Sequence, residues 1–130
     1  MTITITGTND APTIGDVADI NFTEAADAST QNLSASGNVS FDDIDDTDVV
    51  DISTALTSVA VWSGGTIDAG LKTLLEAGFS ASVIDAAAPG TTPWDYTVNN
   101  ADLDFLKAGE TITLTYTLTA TDSALSLIHI

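Results

Sequence analysis

An alternation of threonine with apolar residues constrains the fold of this chain more than any other feature. Residues 111–121 read TITLTYTLTAT, which puts five apolar side chains on one face of an extended backbone and six threonines on the other. Successive side chains of a β-strand point to opposite faces, so a period of two indicates a strand and not a helix. Threonine suits the solvent side because its branched side chain fits pleated geometry. The segment therefore predicts a half-buried β-strand.

Shorter runs of the same kind recur along the chain, separated by turn residues. One helix is predicted over residues 69–77, where Leu71, Leu74 and Leu75 have helical spacing and Gly78 follows as a stop signal. A helical turn is predicted over residues 100–106, capped by Asn99 or Asn100. The other predicted strands cover residues 2–6, 13–23 (a weak edge strand), 37–41, 52–62, 79–84 and 94–98, with loops over 24–35 and 86–93.

Six or seven short strands with one short helix predict an all-β fold, an antiparallel β-sandwich.

The composition excludes several classes of function. The 130 residues include 19 Asp plus Glu, 16 of them Asp, against 2 Lys plus Arg, for a formal charge of -17. Such a chain has no basic surface for nucleic acid or anionic lipid. It has no Cys, which excludes disulfides. It also has no apolar run of about 18 residues, the length that a membrane-spanning helix needs. The sequence predicts no signal peptide, so an export signal is expected outside it.

The acids are concentrated in one place, since residues 42–51 contain six Asp. Like charges this close repel strongly, so an ordered loop without counter-ions is costly. Divalent cations relieve that repulsion, and calcium takes six to eight oxygen ligands, which aspartate supplies well. A solvated acidic loop is the alternative. An EF-hand is excluded because its loop needs Gly at position six and Glu at position twelve. Counted from Asp43, these positions hold Asp48 and Thr54.

Several blocks together resemble a known family. They are TITITGTNDAP (residues 2–12), GNVSFDDIDDTD (37–48), WDYTVNNADLDFL (94–106) and AGETITLTYTLTATD (108–122). Their order and content are similar to the VCBS-type repeats of giant secreted bacterial adhesins, often called RTX adhesins. The resemblance implies an immunoglobulin-like or cadherin-like sandwich repeated many times, with calcium (Ca2+) at the junctions. It also implies a non-enzymatic, secreted, cell-surface stalk that supports adhesion or biofilm formation, with neighbouring repeats as partners and surface ligands bound through other domains.

The resemblance also implies a division of the chain. Residues 1–12 correspond to the last strand of a preceding repeat plus a linker, and residues 13–124 to one repeat. Residues 125–130, which include the only His, depart from the family pattern and are interpreted as a non-native tail. Separated from its own repeat, the segment 2–6 has three options. It can dangle, pair with an exposed edge, or fill the last-strand position of a neighbouring molecule.

In this topology three chain segments bring oxygen donors to one end of the sandwich. Asp43, Asp45 and Asp48 lie on the loop, Asp122 ends the threonine-rich strand, and the linker brings two more residues. This resembles the cadherin arrangement of a linker Asn-Asp, a paired Asp loop and a lone late Asp. Glu24 is expected at the opposite end, where it could bind ions shared with another repeat, and Glu110 is a second candidate there. The expected ligands are Asn9, Asp10, Asp43, Asp45, Asp48, Asp122 and Glu24.

Two other function classes stay open. A sugar-binding or surface-binding module would use exposed aromatic residues, although alternation favours a core position for Trp62, Trp94, Tyr96 and Tyr116. An accessory domain of a secreted hydrolase is the other alternative. Catalysis by this chain itself is not expected, because its only His lies in the tail and no cleft is indicated around the acids Asp95, Asp102 and Asp104.

Overall fold

The computed structural model describes residues 1–25, 29–45, 48–122 and 127–129, the last three by their backbone. Two four-stranded antiparallel sheets form a β-sandwich, which confirms the predicted fold class. Strands are numbered in chain order. The first sheet has the order β1 (Thr13–Ile14), β2 (Gln31–Asp42), β6 (Gly90–Ala101), β4 (Phe79–Ala81). The second has the order β5 (Val83–Ala87), β3 (Val49–Trp62), β7 (Ile112–Asp122), β8 (Leu127–His129).

Strand β7 has the alternation that the sequence predicts. Leu118 and Ala120 are buried, while Thr113 and Thr115 are exposed. It pairs with β3 from Val50↔Asp122 to Trp62↔Ile112, with two irregularities in the register. These two long strands form the centre of the second sheet, as β2 and β6 do in the first.

The core between the sheets consists of two clusters of buried side chains. One contains Val39, Phe41, Val50, Ile52, Ala81, Leu118 and Ala120. It lies towards the end where β2 and β7 finish and β3 begins, which we call the acidic pole. The other contains Leu33, Ala60, Ile67, Leu71, Leu75, Tyr96, Val98, Ala101 and Leu103. It lies towards the opposite end, which we call the helix pole.

A single short helix, α1 (Ala69–Glu76), covers the second cluster. Asp68 caps its start by accepting hydrogen bonds from the backbone N–H groups of Gly70 and Leu71 at 3.1 and 3.3 Å. Leu71 and Leu75 are buried, whereas Leu74 is 49% exposed, so the helical spacing predicted two of the three core contacts. Across the described residues, no helix has both the length and the apolar character needed to cross a membrane.

The N-terminal third departs most from the sequence predictions. No strand forms over residues 2–6, because no described strand lies beside them to pair with. The predicted edge strand over 13–23 is reduced to β1, since after the bond from Gly15 N–H to Ser40 O (2.7 Å) the chain leaves the ladder. Val17 and Ile20 then pack on the two core clusters. The loop predicted over 24–35 is wrong from Gln31 onward, where β2 begins.

Three predictions in the middle of the chain are also corrected. The single strand over 79–84 is divided at Ser82 into β4 and β5, which belong to opposite sheets. The loop over 86–93 is too long at both ends, because β5 continues to Ala87 and β6 begins at Gly90. Instead of a capped helical turn over 100–106, β6 continues to Ala101, and a turn follows that the bond from Leu106 N–H to Leu103 O closes at 3.0 Å. Asn100, the last residue but one of β6, has a positive φ of 56°.

The C-terminal residues complete the second sheet in part. Leu127–His129 forms β8, whose backbone pairs with Thr119–Thr121 of β7. That residues 125–130 are a non-native tail stays an interpretation from the sequence.

Candidate metal centre

The acidic loop between β2 and β3 curls back on itself through bonds between its own residues. Asp45 N–H donates to Asp43 Oδ1 at 2.9 Å, a turn that a short carboxylate side chain can form with the backbone two residues on. Asp48 N–H donates to Asp45 O at 2.9 Å. Both bonds draw the loop inward, so the carboxylates of Asp43 and Asp48 come together.

A third carboxylate arrives from the other sheet. Asp122 is the last residue of β7, and β2 and β7 both run towards the acidic pole. One oxygen from each of Asp43, Asp48 and Asp122 lies within 4.8 Å of the others. We call these three residues the acidic triad. Its members are 74 to 79 positions apart across the two segments, so only the tertiary fold brings them together.

The triad is unusually well shielded from water for a group of carboxylates. Asp43 is 6% exposed and Asp122 is 3% exposed. Asp43 Oδ2 is buried and has no hydrogen-bond partner among the described residues. A buried charged oxygen without a partner is costly unless a proton or a cation compensates it. This atom therefore points to a ligand that binds between the three carboxylates.

The pKa of Asp43 responds to this environment. Burial raises the pKa of its carboxyl group above the usual value. The N–H of Asp45 opposes this by stabilising the charged form, while the charges of Asp48, Asp122 and Asp45 raise the pKa further. At about 4.8 Å, two unit charges repel by about 3 kcal/mol with an effective dielectric constant of about 20. The arrangement thus favours a positive charge placed in its centre.

The linker before β1 closes the same end of the molecule. The amide nitrogen of Asn9 donates to Asp122 Oδ2 at 2.9 Å, and the backbone N–H of Asp10 donates to Asp45 Oδ2 at 2.8 Å. The predicted ligands Asn9, Asp10 and Asp45 therefore lie beside the triad and are held to it. In these contacts Asn9 donates through its side-chain amide and Asp10 through its backbone N–H, while the carboxylate of Asp45 accepts. Residue type alone does not distinguish these roles from metal ligation.

No lysine or arginine is found at this pole among the described residues. The chain's two residues of these types are Lys72 and Lys107. Lys72 pairs with Glu76 on α1 at 3.8 Å, and the backbone N–H of Lys107 contacts Glu110 at the helix pole. The excess negative charge at the acidic pole is thus not balanced within the described residues by lysine or arginine. A bound proton or an external cation can balance it.

Both glutamates expected at the other end are found there. Glu24 precedes β2, and the neighbouring backbone N–H of Ala25 donates to Gln31, the first residue of that strand. Glu110 accepts hydrogen bonds from Trp62 Nε1 at 2.9 Å and from the backbone of Lys107 at 3.2 Å. Glu110 therefore stabilises the turn before β7, and neither residue joins the triad.

The donors of the acidic pole fit calcium in number and kind. Three carboxylates offer six oxygens, and the adjacent Asp45, Asp10 and Asn9 carry more. Calcium is a hard cation that prefers oxygen and accepts irregular coordination, whereas zinc prefers nitrogen and sulfur. Among the side chains that the structure describes, no His or Cys accompanies the triad. Asp43, Asp48 and Asp122 are the residues that would hold the ion directly.

The residues considered for other functions have structural contacts. Tyr96 is buried, Trp94 stacks with Phe79 at 6.0 Å between ring centres, and Trp62 packs edge-on against Phe105 at 4.7 Å. Ser80 Oγ donates to Asp95 at 2.7 Å, and Asp104 N–H donates to Asp102 at 3.3 Å. These aromatic rings thus contribute to packing, and these carboxylates accept local bonds.

Comparisons with known proteins add no relative to this description. No family model, no curated protein and no solved structure matches the chain.

Proposed function

We propose that this chain is a structural module whose acidic pole binds calcium, and that the ion fixes the linker against the sandwich. The observation that carries the proposal is the buried Asp43 Oδ2, which has no hydrogen-bond partner among the described residues and lies in a triad drawn from both sheets. Such an atom is costly in the metal-free chain and becomes a ligand when a cation binds.

The linker gives the ion a mechanical consequence. Asn9 contacts Asp122 and Asp10 contacts Asp45, so the segment before β1 rests on the carboxylates that would hold the metal. A cation that draws these carboxylates together also orders the segment attached to them. In an array of such modules, calcium would convert each junction from a flexible hinge to a stiff one.

The resemblance to VCBS-type repeats supplies the proposed context. The module is a repeat of a secreted, cell-surface bacterial adhesin, and it extends the chain so that other domains meet their surface ligands. Its own partners are neighbouring repeats. In this proposal the chain catalyses no reaction. Sugar binding is less well supported, because Tyr96 is buried and the half-buried Trp62 and Trp94 pack against Phe105 and Phe79.

The expected energetic effect is moderate. Calcium modules outside cells bind with dissociation constants of about 10⁻⁴–10⁻³ M. At a free calcium concentration about ten times the dissociation constant, one site adds about 1.4 kcal/mol to the free energy of unfolding. For a chain of this size that gain raises the melting temperature by several degrees.

The test is a pair of melting curves, in about 10 mM calcium and in a chelator. The unmodified chain should melt several degrees higher with calcium, and Asp43→Asn should lose most of that difference. Asp19→Asn is the matched control, because it removes one exposed carboxylate outside the triad and should keep the difference. Equal melting temperatures of the unmodified chain in the two solutions would overturn the proposal.

A two-module chain tests the mechanical part. Small-angle scattering should give a larger maximum dimension and a narrower distribution of shapes in calcium than in chelator. If stabilisation is observed but the shape distribution is unchanged, the metal site stands and the role in stiffening is rejected.

A further inference from the structure

The N-terminal segment has the chemistry of a strand without a partner. Residues 2–6 read TITIT, and Ile3 and Ile5 are 76% and 91% exposed. Their side chains share one face of an extended backbone, while the threonines occupy the other face. An exposed segment with this alternation can bury its isoleucines by adding to the edge of a sheet.

Strand β7 offers such an edge. Its pairing with β3 covers one side along its whole length, but β8 covers the other side only at Thr119–Thr121. No described strand pairs with the stretch 112–118 on that second side. This open stretch is seven residues long, and five residues of a strand span about 16 Å, so the segment 2–6 fits within it.

The open stretch and the segment share one pattern. Ile112, Leu114 and Tyr116 of β7 are half-buried and face the core, while Thr113 and Thr115 face solvent. A strand laid beside them in register would put Ile3 and Ile5 over the core and its threonines outside. The side chains then match on both faces of the extended sheet.

The segment of the same chain is poorly placed to fill this position. Asn9 is held at Asp122, where β7 ends, so residues 1–8 would have to run in the same direction as β7 to lie along it. They would pair in parallel, and β8 occupies the part of the edge nearest to them. The segment of a second copy has no such tether and can enter antiparallel, the slightly more stable arrangement.

Charge also favours this segment as the contact between copies. Two chains of formal charge -17 repel each other, so contacts between their acidic surfaces are costly. Residues 1–8 contain no Asp or Glu, and Met1 carries the amino terminus. This segment can therefore approach a second copy without adding a carboxylate.

We propose that residues 2–6 of one copy add as an antiparallel strand to the open edge of β7 in a second copy. The same contact can repeat from copy to copy, because each chain carries one segment and one open edge. The interaction is head-to-tail and forms rings or open chains. It does not depend on the calcium site, and its small area places it among weak associations, with a Kd of about 10⁻⁴ M.

The first test is sedimentation equilibrium of the full chain from about 10 µM to 1 mM in chelator. Association is expected to increase with concentration and with added NaCl, which screens the repulsion. The double variant Ile3→Thr, Ile5→Thr should raise the apparent Kd at least about tenfold. Ile84→Thr is the control, since Ile84 is as exposed as Ile3 but lies on β5. A chain that is monomeric at 1 mM, or a double variant that associates equally well, would reject the proposal.

The second test locates the contact by disulfide formation between introduced cysteines. Because the chain has no cysteine of its own, every disulfide involves only the introduced residues. Copies with Thr4→Cys are mixed with copies with Thr115→Cys and oxidised gently. Disulfides need Cα atoms about 4.4–6.8 Å apart, so a docked strand brings the two sites into reach. The mixed dimer should form at least about tenfold faster than with Ile84→Cys as the acceptor. Equal rates for both acceptors would show that the segment does not lie on β7.

Discussion

The two poles of the sandwich differ in whether their polar side chains have hydrogen-bond partners within the protein. At the helix pole, Tyr96 and Tyr116 come from different sheets and both donate to the backbone carbonyl of Leu75, at 2.9 and 3.3 Å. Tyr116 also donates to Glu76 O. The last carbonyls of a helix lack partners within it, and here the two hydroxyls supply them. At the acidic pole, the buried carboxylates of the triad face one another.

The charged side chains show the same contrast. Glu76 accepts from Ala60 N–H at 2.9 Å and lies 3.8 Å from Lys72, and Glu110 accepts from Trp62. The carboxylates of Glu76 and Glu110 thus each have a donor within the protein. Asp43 Oδ2 at the acidic pole has none among the described residues. We expect the helix pole to have the same stability in any calcium concentration and the acidic pole to depend on it.

The largest predicted effect is a loss of stability caused by a core substitution at the helix pole. Leu75 is 4% exposed and packs in the cluster beneath α1, so Leu75→Ala removes buried methyl groups and leaves a cavity. The free energy of unfolding should fall by about 3 kcal/mol, measured by urea denaturation. The loss should be equal in calcium and in chelator. Leu74→Ala, at a site 49% exposed, should cost clearly less. A loss that changes with calcium would show that the poles are coupled.

The second effect uses pH at the same pole. Burial, with a smaller contribution from Tyr116, raises the pKa of Tyr96 to about 12, above the unfolded value of about 10. The folded chain thus favours the neutral phenol. This stabilisation is complete below pH 10 and is lost as the pH rises from about 10 to 12, by up to about 3 kcal/mol.

Urea denaturation at pH 9, 10 and 11 measures this loss, with Tyr96→Phe as the comparison. The variant lacks the ionisable group, so its stability should decline less over that range. Burial also raises the pKa of Tyr116, which keeps part of the decline in the variant. Identical pH profiles for both proteins would contradict the assignment to Tyr96.

The third effect is a change in stability at the acidic pole, and its sign depends on whether calcium is present. Asp43→Asn keeps an oxygen that can accept the N–H of Asp45 but removes one of three clustered charges. In chelator the variant should be more stable than the unmodified chain by about 0.5 kcal/mol, because repulsion falls. In about 10 mM calcium it should be less stable by about 0.5 kcal/mol, because the ion loses a ligand. Chemical denaturation in both solutions measures the two differences, and the same sign in both would contradict this account.

The fourth effect is the matched change at the helix pole. Glu110→Gln keeps an oxygen for Trp62 Nε1 but removes the charge of the acceptor. The free energy of unfolding should fall by about 0.5–1 kcal/mol, since bonds to charged groups are the stronger ones. The loss should be equal with and without calcium in the same denaturation series. A calcium-dependent loss would make Glu110 a ligand, as one sequence interpretation allowed.

The strands that sequence could predict are those with one face buried and one exposed. Residues 111–121 and the helix at 69–77 were predicted closely because their periodicity reports the burial directly. The first part of β2, residues 31–36, was missed because residue types such as Asn32 and Ala35 are depleted in strands. Pairing with β6 overrides that propensity, and pairing between distant segments is not encoded locally.

The sequence predicted which residues belong to the candidate site better than it predicted the contacts that each of them makes. The density of aspartates marked the loop, and the end of the threonine-rich strand marked Asp122. Nothing in the sequence separates Asp48, a member of the triad, from Asp45, whose carboxylate accepts the N–H of Asp10. That difference depends on how the loop curls. The fate of residues 2–6 likewise depends on which sheet edges stay open after folding.

The most direct test is a calcium titration followed by ¹H–¹⁵N NMR of the full chain. The account predicts that amide signals of Asp10, Asp43, Asp45, Asp48 and Asp122 shift with one common dissociation constant below about 1 mM, while those of α1 and Glu110 stay in place. No shifts at the acidic pole in 10 mM calcium, or weak shifts spread evenly over all exposed acids, would contradict it.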